Sequence, residues 1–284
     1  MKKNDFMALG TCFARAFHSE VETIKIFDDY LAKRILSEQE YQYYADNFYR
    51  SSQYYFPQFK GNKIDATRLV INYRILGDIL IRSKLCENLV LQEMTKGLKK
   101  YLNIGAGYDT FAYRYVNNDF SVFEIDMENV INDKKIRFER SNLTEGCNLV
   151  QYGRDVTESD WMKNVEDFVS SEPIVVAMLG FVYYLPHSYF VKIIEDLSNK
   201  LCAGSKIIFD IDCADRKITG CNFFSLEEVV SICRRNGFRI LEIYNHIKVE
   251  ERYLSEYNHC NPSFIMHASA SIFNLVIEKR MICS

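Results

Sequence analysis

The stretch Tyr101-Leu-Asn-Ile-Gly-Ala-Gly-Tyr-Asp-Thr-Phe-Ala-Tyr-Arg114 decides the fold, together with Val122-Phe-Glu-Ile-Asp126 after it. An apolar run enters a Gly-x-Gly turn, and a second apolar run ends in a carboxylate. Gly105 and Gly107 lack a Cβ atom, so the backbone can turn sharply there and approach a ligand closely. Asp126 follows about 20 residues later, where its carboxylate can accept hydrogen bonds from both hydroxyls of a ribose. The pattern predicts a site for an adenosine-containing cofactor.

From Lys99 onward, strand and helix patterns alternate along the chain. We predict strands at residues 100–104, 122–126, 148–152, 174–179, 206–211, 239–244 and 271–278. Helices are predicted at residues 128–140, 158–169, 187–201 and 226–236. This alternation indicates βαβ units and an α/β fold with a mostly parallel sheet, in which ligands bind at the carboxyl ends of the strands.

Residues 1–95 have a pattern typical of helices, with apolar side chains recurring at helical spacing. The segment from Tyr41 to Phe56 is unusually rich in aromatic residues. Packing between helices is the favoured interpretation of these rings. The alternative is that Tyr44, Tyr54 or Tyr55 lines an apolar pocket for a substrate.

Bulk properties exclude several classes of protein. The chain has 284 residues, 48% of them hydrophobic and 26% charged, with a net charge of −3. These values are ordinary for a globular protein, and without a basic excess we expect no nucleic-acid partner. The sequence does not indicate an oligomeric state.

The nine cysteines form no C-x-x-C pair, so we expect no metal site and free thiols in a reducing cytoplasm. No signal-peptide core follows Met1, which also favours a cytoplasmic location. The longest apolar run, residues 174–185, is too short to cross a bilayer, so no membrane association is expected.

The glycine turn distinguishes between adenosine cofactors. A dinucleotide fingerprint reads G-x-G-x-x-G, whereas the sixth position here is Thr110. The pyrophosphate of a dinucleotide needs a close helix N-terminus, and S-adenosylmethionine has no phosphate. The turn therefore favours S-adenosylmethionine, and the alternative is an ordinary strand–helix turn without a ligand.

Two more candidates have competing interpretations. Asp155 follows the third predicted strand and can accept a hydrogen bond from an adenine amine, with Val156 against the ring; alternatively, it caps a helix beginning near Thr157. Spacing favours Arg74 as a surface arginine paired with Asp78, four residues later. The alternative is that its planar guanidinium binds the carboxylate of a methionine moiety.

Six segments resemble, in order, those of the leucine carboxyl methyltransferase family. They are Thr11-Cys-Phe-Ala-Arg-Ala16, Tyr73-Arg-Ile-Leu-Gly77, Asn103-Ile-Gly-Ala-Gly-Tyr-Asp-Thr110, Phe123-Glu-Ile-Asp126, Arg154-Asp-Val156 and Leu179-Gly-Phe-Val-Tyr-Tyr-Leu-Pro186. The resemblance is nearest to the bacterial branch that includes tetracenomycin-type polyketide O-methyltransferases. In one departure, Leu179 stands where many relatives have an acidic residue, which weakens the case for a protein C-terminus as substrate.

The resemblance implies a class I methyltransferase fold. That fold has a Rossmann-like seven-stranded sheet, helices on both faces and a reversed final hairpin. It implies a helical N-terminal cap (residues 1–95) over the core (residues 96–284), in one compact unit. The implied cofactor is S-adenosyl-L-methionine.

Carried over residue by residue, the resemblance assigns Arg74 to the cofactor carboxylate and Asp126 to the ribose. Asp155 and Val156 would contact the adenine. The full set of implied cofactor-binding residues is Arg15, Arg74, Gly105, Ala106, Gly107, Asp126, Asp155, Val156 and Leu179.

The expected activity is O-methylation of a small molecule, with a carboxylate as the favoured acceptor. A carboxylic acid of pKa ~4 is ionised at pH 7 and needs no base, whereas a phenol of pKa ~10 would benefit from one. Alternatives are a methyltransferase for a phenol, an amine or a protein side chain, and a non-catalytic cofactor-binding partner protein. The candidates for the acceptor pocket are Tyr183, Tyr184, His187 and Tyr44; a helix-start role is the alternative for His187.

Overall fold

A single sheet of seven strands organises the computed structural model of this chain, which describes residues 3–214 and 221–280. The strands are β1 Lys100–Ile104, β2 Ser121–Asp126, β3 Asn148–Gly153, β4 Val175–Met178, β5 Lys206–Asp212, β6 Phe238–Tyr244 and β7 Ile272–Lys279. Each begins and ends within one residue of its predicted bounds, so the strand predictions are confirmed.

The strand order is β3-β2-β1-β4-β5-β7-β6. Strands β1 to β5 are parallel, and β7 is antiparallel to both of its neighbours, β5 and β6. The mostly parallel sheet and the reversed final hairpin are therefore confirmed. The order reverses between β1 and β4, and ligands of open parallel sheets bind at such a point, beyond the carboxyl ends of the strands.

The described helices are α1 Lys3–Val21, α2 Ala32–Ile35, α3 Glu38–Tyr55, α4 Lys63–Ile71, α5 Gly77–Met94, α6 Phe111–Arg114, α7 Glu128–Arg140, α8 Glu166–Ser170, α9 His187–Lys200, α10 Leu226–Arg235, α11 His246–Val249 and α12 Ser255–Cys260. A capping box begins α3: the Ser37 hydroxyl accepts the backbone N–H of Glu40, and the Glu40 carboxylate accepts the backbone N–H of Ser37. Two π-helical turns, Asn72–Leu76 and Glu250–Leu254, precede α5 and α12.

Alternate side chains of the strands enter two cores, one on each face of the sheet. Tyr101 of β1 packs in the core that contains α1 to α5, whereas its neighbour Leu102 packs in the core formed with α8, α9 and α10. The helices that precede β1 thus share a hydrophobic core with the sheet. The division into a cap of residues 1–95 and a core of residues 96–284 stays a prediction.

One predicted helix is wrong. Residues 158–169 do not form a continuous helix, but a 3₁₀ turn, Trp161–Asn164, followed by the short α8. Trp161 is fully buried, and its indole N–H donates to Asp196 at 2.8 Å. This hydrogen bond anchors the 3₁₀ turn to α9, which contains Asp196. The other three helix predictions agree with the structure to within one residue.

Within the described part of the chain, every helix is too short or too polar to cross a membrane.

Candidate functional site

The glycine turn lies between the carboxyl ends of β1 and β2. The N–H groups of Gly105 and Ala106 both donate to the Ile125 carbonyl, at 2.8 and 3.1 Å. Gly105 has a φ of +74°, in the left-handed region that favours glycine. A Cβ atom there would lie 2.9 Å from the ring of Phe181, which follows β4. The turn therefore brings three strand ends together, and it requires glycine.

Asp126 ends β2 with its carboxylate beside this turn. Oδ2 accepts the Gly107 N–H at 2.7 Å, and Oδ1 accepts the Met127 N–H at 2.7 Å. A carboxylate oxygen can accept more than one hydrogen bond. The partly exposed Asp126 carboxylate offers acceptor oxygens of the kind that the two hydroxyls of a ribose require, and in this respect the site fits S-adenosylmethionine.

The turn after β3 joins the same edge, because the Arg154 N–H donates to the Asp126 carbonyl at 2.8 Å. Asp155 Oδ1 accepts both the N–H and the hydroxyl of Thr157, at 2.8 and 2.7 Å. No helix begins at Thr157, so the helix-capping interpretation is wrong, and Asp155 instead closes a local turn. Val156 is buried.

Arg15 contacts the backbone of the glycine turn from the buried interior of the protein. Its Nη2 donates to the Tyr108 carbonyl at 2.8 Å, and its Nε donates to Asp29 at 2.8 Å. Arg15 and Asp29 are both buried. The guanidinium is thus engaged by the protein itself.

Arg74 is exposed on the π-helical turn, with its guanidinium 5.0 Å from the centre of the Tyr55 ring. The predicted pairing with Asp78 is not formed, since Asp78 accepts the Ser269 N–H at 2.9 Å instead. A π turn hydrogen-bonds residues five apart, which displaces side chains that would align at a spacing of four. The guanidinium is therefore available to a ligand carboxylate.

A polar cluster that the sequence did not reveal lies at the carboxyl ends of β4 and β5. Arg82 Nη1 donates to the Tyr183 hydroxyl at 3.1 Å and to Asp210 Oδ2 at 3.3 Å. Asp210 Oδ1 accepts the Gly180 N–H at 2.6 Å. Gly180 has a φ of +72°, and a Cβ atom there would lie 2.5 Å from Arg82. Arg82, on α5, thus fixes the segment after β4, where Leu179 is half-buried.

Asp78 lies one helical turn before Arg82, in the first turn of α5. Burial raises the pKa of its carboxyl group to about 6, although the Ser269 N–H and Arg82 act in the opposite direction. Asp210 and Asp212 also raise the pKa of Asp78. Only the fold reveals this shift, because β5 and α5 are far apart in sequence.

The remaining acceptor candidates lie in different places. Tyr184 is 42% exposed and packs against Tyr183, with ring centres 4.8 Å apart. His187 begins α9, where its ring nitrogens contact the Phe223 carbonyl and Glu228 and its ring stacks on Phe224. These contacts favour the helix-start role.

Tyr44 is buried against the Phe13 ring, between α1 and α3. This position favours the packing interpretation of the aromatic segment. Tyr54, by contrast, is 82% exposed on the surface of α3.

A family model for leucine carboxyl methyltransferases matches residues 8–198. The chain belongs to this family. The match includes the glycine turn, Asp126 and the segment after β4, and the seven-stranded sheet with its reversed final hairpin is the one that the resemblance implied. The protein is accordingly an S-adenosyl-L-methionine-dependent methyltransferase.

Two curated bacterial proteins agree with this assignment. YktD of Bacillus subtilis (strain 168), named as an S-adenosyl-L-methionine-dependent methyltransferase, is 28% identical over 293 residues, covering 93% of this chain and 91% of YktD. SCO6443 of Streptomyces coelicolor (strain ATCC BAA-471 / A3(2) / M145), named in the same way, is 26% identical over 141 residues, covering 49% of this chain and 43% of that protein. Neither match separates the branches of the family, so the tetracenomycin-type branch stays a prediction.

Solved structures show more distant similarity. Magnesium protoporphyrin IX methyltransferase from Synechocystis PCC 6803 aligns with a TM-score of 0.48 and 10% identity, over 84% of this chain and 96% of that one. The [4+2]-cyclase SpnF aligns with a TM-score of 0.48 and 15% identity, over 71% of this chain and 81% of its own. Similarities of this size say nothing about the methyl acceptor of this chain.

Proposed function

We propose that this methyltransferase acts on an oxygen atom of a small molecule that binds beside β4 and β5. The observation that supports this most is the contact of Phe181 with Gly105. Phe181 belongs to the segment after β4, and Tyr183 and Tyr184 follow it by two and three residues. An acceptor that packs on these aromatic side chains would lie next to the cofactor.

When bound, S-adenosylmethionine supplies a methyl group that its sulfonium already activates. The chain's own task is then to hold donor and acceptor in line, because proximity and orientation lower much of the barrier. We assign the ribose to Asp126, the methionine carboxylate to Arg74 and the adenine to Asp155 and Val156. Gly105, Ala106 and Gly107 would allow the methionine part of the cofactor to approach the backbone closely. Leu179, after β4, would also contact the cofactor.

We propose a carboxylate as the acceptor group. A carboxylate is ionised at pH 7 and requires no base. Both ring nitrogens of His187 are engaged by the protein, one by Glu228 and the other by the Phe223 carbonyl, which does not favour His187 as a base. The pKa of Tyr183 is raised by burial, so its hydroxyl stays protonated and acts as a hydrogen-bond donor to an acceptor oxygen. Arg82 holds this hydroxyl in place.

A hydroxyl acceptor, such as a phenol, is the second candidate, and Asp78 favours it. A carboxyl group with a pKa of about 6 can take a proton near neutral pH more readily than an ordinary aspartate. Asp78 shares the β5 end with Asp210 and Asp212, whose negative charges would oppose an anionic acceptor and not a neutral one.

We propose a cytoplasmic location as well. The eight cysteines in the described part of the chain are all free, which suits a reducing compartment.

Methyl transfer from isotopically labelled S-adenosylmethionine to matched pairs of acceptors would test the acceptor class. Each pair contains an aryl carboxylic acid and the corresponding phenol, with aryl amines as a third set. Label in the acids alone supports the first candidate, and label in the phenols alone supports the second. Label only in amines contradicts O-methylation. A protein that binds S-adenosylhomocysteine but labels none of the acceptors supports the non-catalytic alternative.

A further inference from the structure

The Arg15–Asp29 ion pair joins the N-terminal helices to the glycine turn. Arg15 lies on α1, and Asp29 lies in the segment between α1 and α2. Asp29 Oδ2 accepts from Arg15, and its Oδ1 accepts the Thr110 hydroxyl at 2.5 Å. Arg15 in turn donates to the Tyr108 carbonyl. The pair therefore contacts the segment that follows the two glycines at two separate points.

These contacts lie in the protein interior, where they are strong and costly to lose. The side chains of Arg15 and Asp29 are 11% and 0% exposed. Burial alone would raise the pKa of Asp29, but Arg15 and Arg114 hold it below its usual value, so the carboxylate is ionised. Without Arg15, the buried Asp29 carboxylate would lose its 2.8 Å partner and keep the more distant Arg114, whose Nε lies 3.5 Å from Oδ1.

The Tyr108 carbonyl belongs to the turn that shapes the candidate cofactor site. The Asp109 N–H donates to the Ala106 carbonyl at 3.0 Å, closing a tight turn around Gly107. The Gly107 N–H is the group that Asp126 accepts. A shift of the Tyr108 carbonyl would therefore change the position of Gly107 and of the Asp126 carboxylate.

We propose that Arg15 and Asp29 are positioning residues for cofactor binding, and that docking of the N-terminal helix is thermodynamically coupled to it. This inference rests on the cofactor site proposed above. Arg15 acts through the backbone of the turn rather than by touching the ligand. Because such coupling is reciprocal, the cofactor stabilises the docked N-terminal segment by the same factor by which docking favours the cofactor.

Titration of the full-length protein with S-adenosylhomocysteine tests the first half of the proposal. We expect Arg15→Met to raise the Kd by about tenfold or more, since a tenfold change corresponds to one lost charged contact. Arg15→Lys keeps the charge but not the two-pronged geometry, and it should give an intermediate Kd. In Arg15→Met, the further change Asp29→Asn removes the buried charge that Arg15 no longer balances and keeps an oxygen for the Thr110 hydroxyl, so it should restore part of the affinity.

Arg68 offers a matched control. Its Nε donates to Glu22 at 2.6 Å, and the two side chains are 13% and 1% exposed, so this pair is as buried as Arg15–Asp29. The described partners of Arg68 are Glu22, Tyr257, Asn261 and the Phe264 ring, all away from the glycine turn. Arg68→Met should lower the melting temperature but leave the Kd within about twofold. Equal Kd values for the two Met variants would overturn the proposal.

Hydrogen exchange of the unmodified protein tests the second half without any variant. Saturating S-adenosylhomocysteine should slow amide exchange in residues 8–31 more than in α10, which packs in the core on the opposite face of the sheet. Equal protection of both segments would contradict the coupling, even if Arg15→Met failed to fold. Absence of binding by the unmodified protein would refute the cofactor site itself, and failure to methylate any acceptor would leave this test unaffected.

Discussion

The carboxylate of Asp126 accepts the backbone N–H of Gly107 at 2.7 Å, across 19 residues of sequence. This bond links the end of β2 to the turn after β1. We expect Asp126→Ala to weaken S-adenosylhomocysteine by about 1–3 kcal/mol, since both a ribose contact and the support of the turn are lost. Calorimetric titration measures the change, with Asp119→Ala as an exposed control. An unchanged affinity would remove Asp126 from the ribose role.

Arg74→Ala should weaken S-adenosylhomocysteine more than adenosine, because only the former has a carboxylate for the guanidinium. Titration with both ligands gives the ratio of the two losses. Arg50→Ala, which removes another exposed arginine, from α3, should affect neither ligand. Equal losses for the two ligands would show that Arg74 does not contact the methionine carboxylate.

Tyr183→Phe should lower methyl transfer to whichever acceptor the panel identifies, while the Kd of S-adenosylhomocysteine stays within about twofold. The substitution removes the hydroxyl that Arg82 holds but keeps the ring that packs on Tyr184. A loss of about 0.5–1.5 kcal/mol in transition-state stabilisation corresponds to one hydrogen bond. Tyr54→Phe, at an 82% exposed position, is the control. A change in cofactor affinity alone would place Tyr183 outside the acceptor pocket.

Asp78 should make the protein less stable as the pH rises from about 4 to 6. Its pKa is about 6 when folded and about 3.9 when unfolded, so in this range the folded state binds the additional proton. Stability then falls with increasing pH, by at most about 3 kcal/mol for this one group, and changes no further above the folded pKa.

Asp78→Asn removes this titration and keeps an oxygen for the Ser269 N–H. The difference in unfolding free energy between Asp78→Asn and the parent should therefore grow in favour of the variant from pH 4 to pH 7. Urea unfolding at several pH values measures it, with Asp119→Asn as the control. A difference that stays constant with pH would show that the pKa of Asp78 is ordinary.

Much of the fold could be predicted because the information is local. The strands are short apolar runs, and those of β4 and β5 are buried on both faces, so their bounds can be read from hydrophobicity alone. The structure departs from the helix predicted at residues 158–169, and in this segment the buried Trp161 donates to Asp196, 35 residues away. Local periodicity cannot anticipate such an anchor.

The candidate site divides in the same way. The spacing of the glycine turn and Asp126 in the sequence was enough to predict that they lie together. Spacing also predicts a pairing of Arg74 with Asp78, which the structure does not contain. The π-helical turn between α4 and α5 changes the register of these two residues. That turn packs beneath the segment before β7, where the Phe264 carbonyl accepts from Asn72.

The class of fold, the cofactor class and the position of the cofactor turn follow from local sequence, because they depend on neighbouring residues and on glycine's lack of a side chain. By contrast, the contact of Arg15 with the turn and the link that Arg82 makes between Tyr183 and Asp210 are visible in the folded protein alone. These contacts span 93, 101 and 128 residues. Which helix face meets which strand end, and how deeply a charge is buried there, is set by the packing of the whole chain.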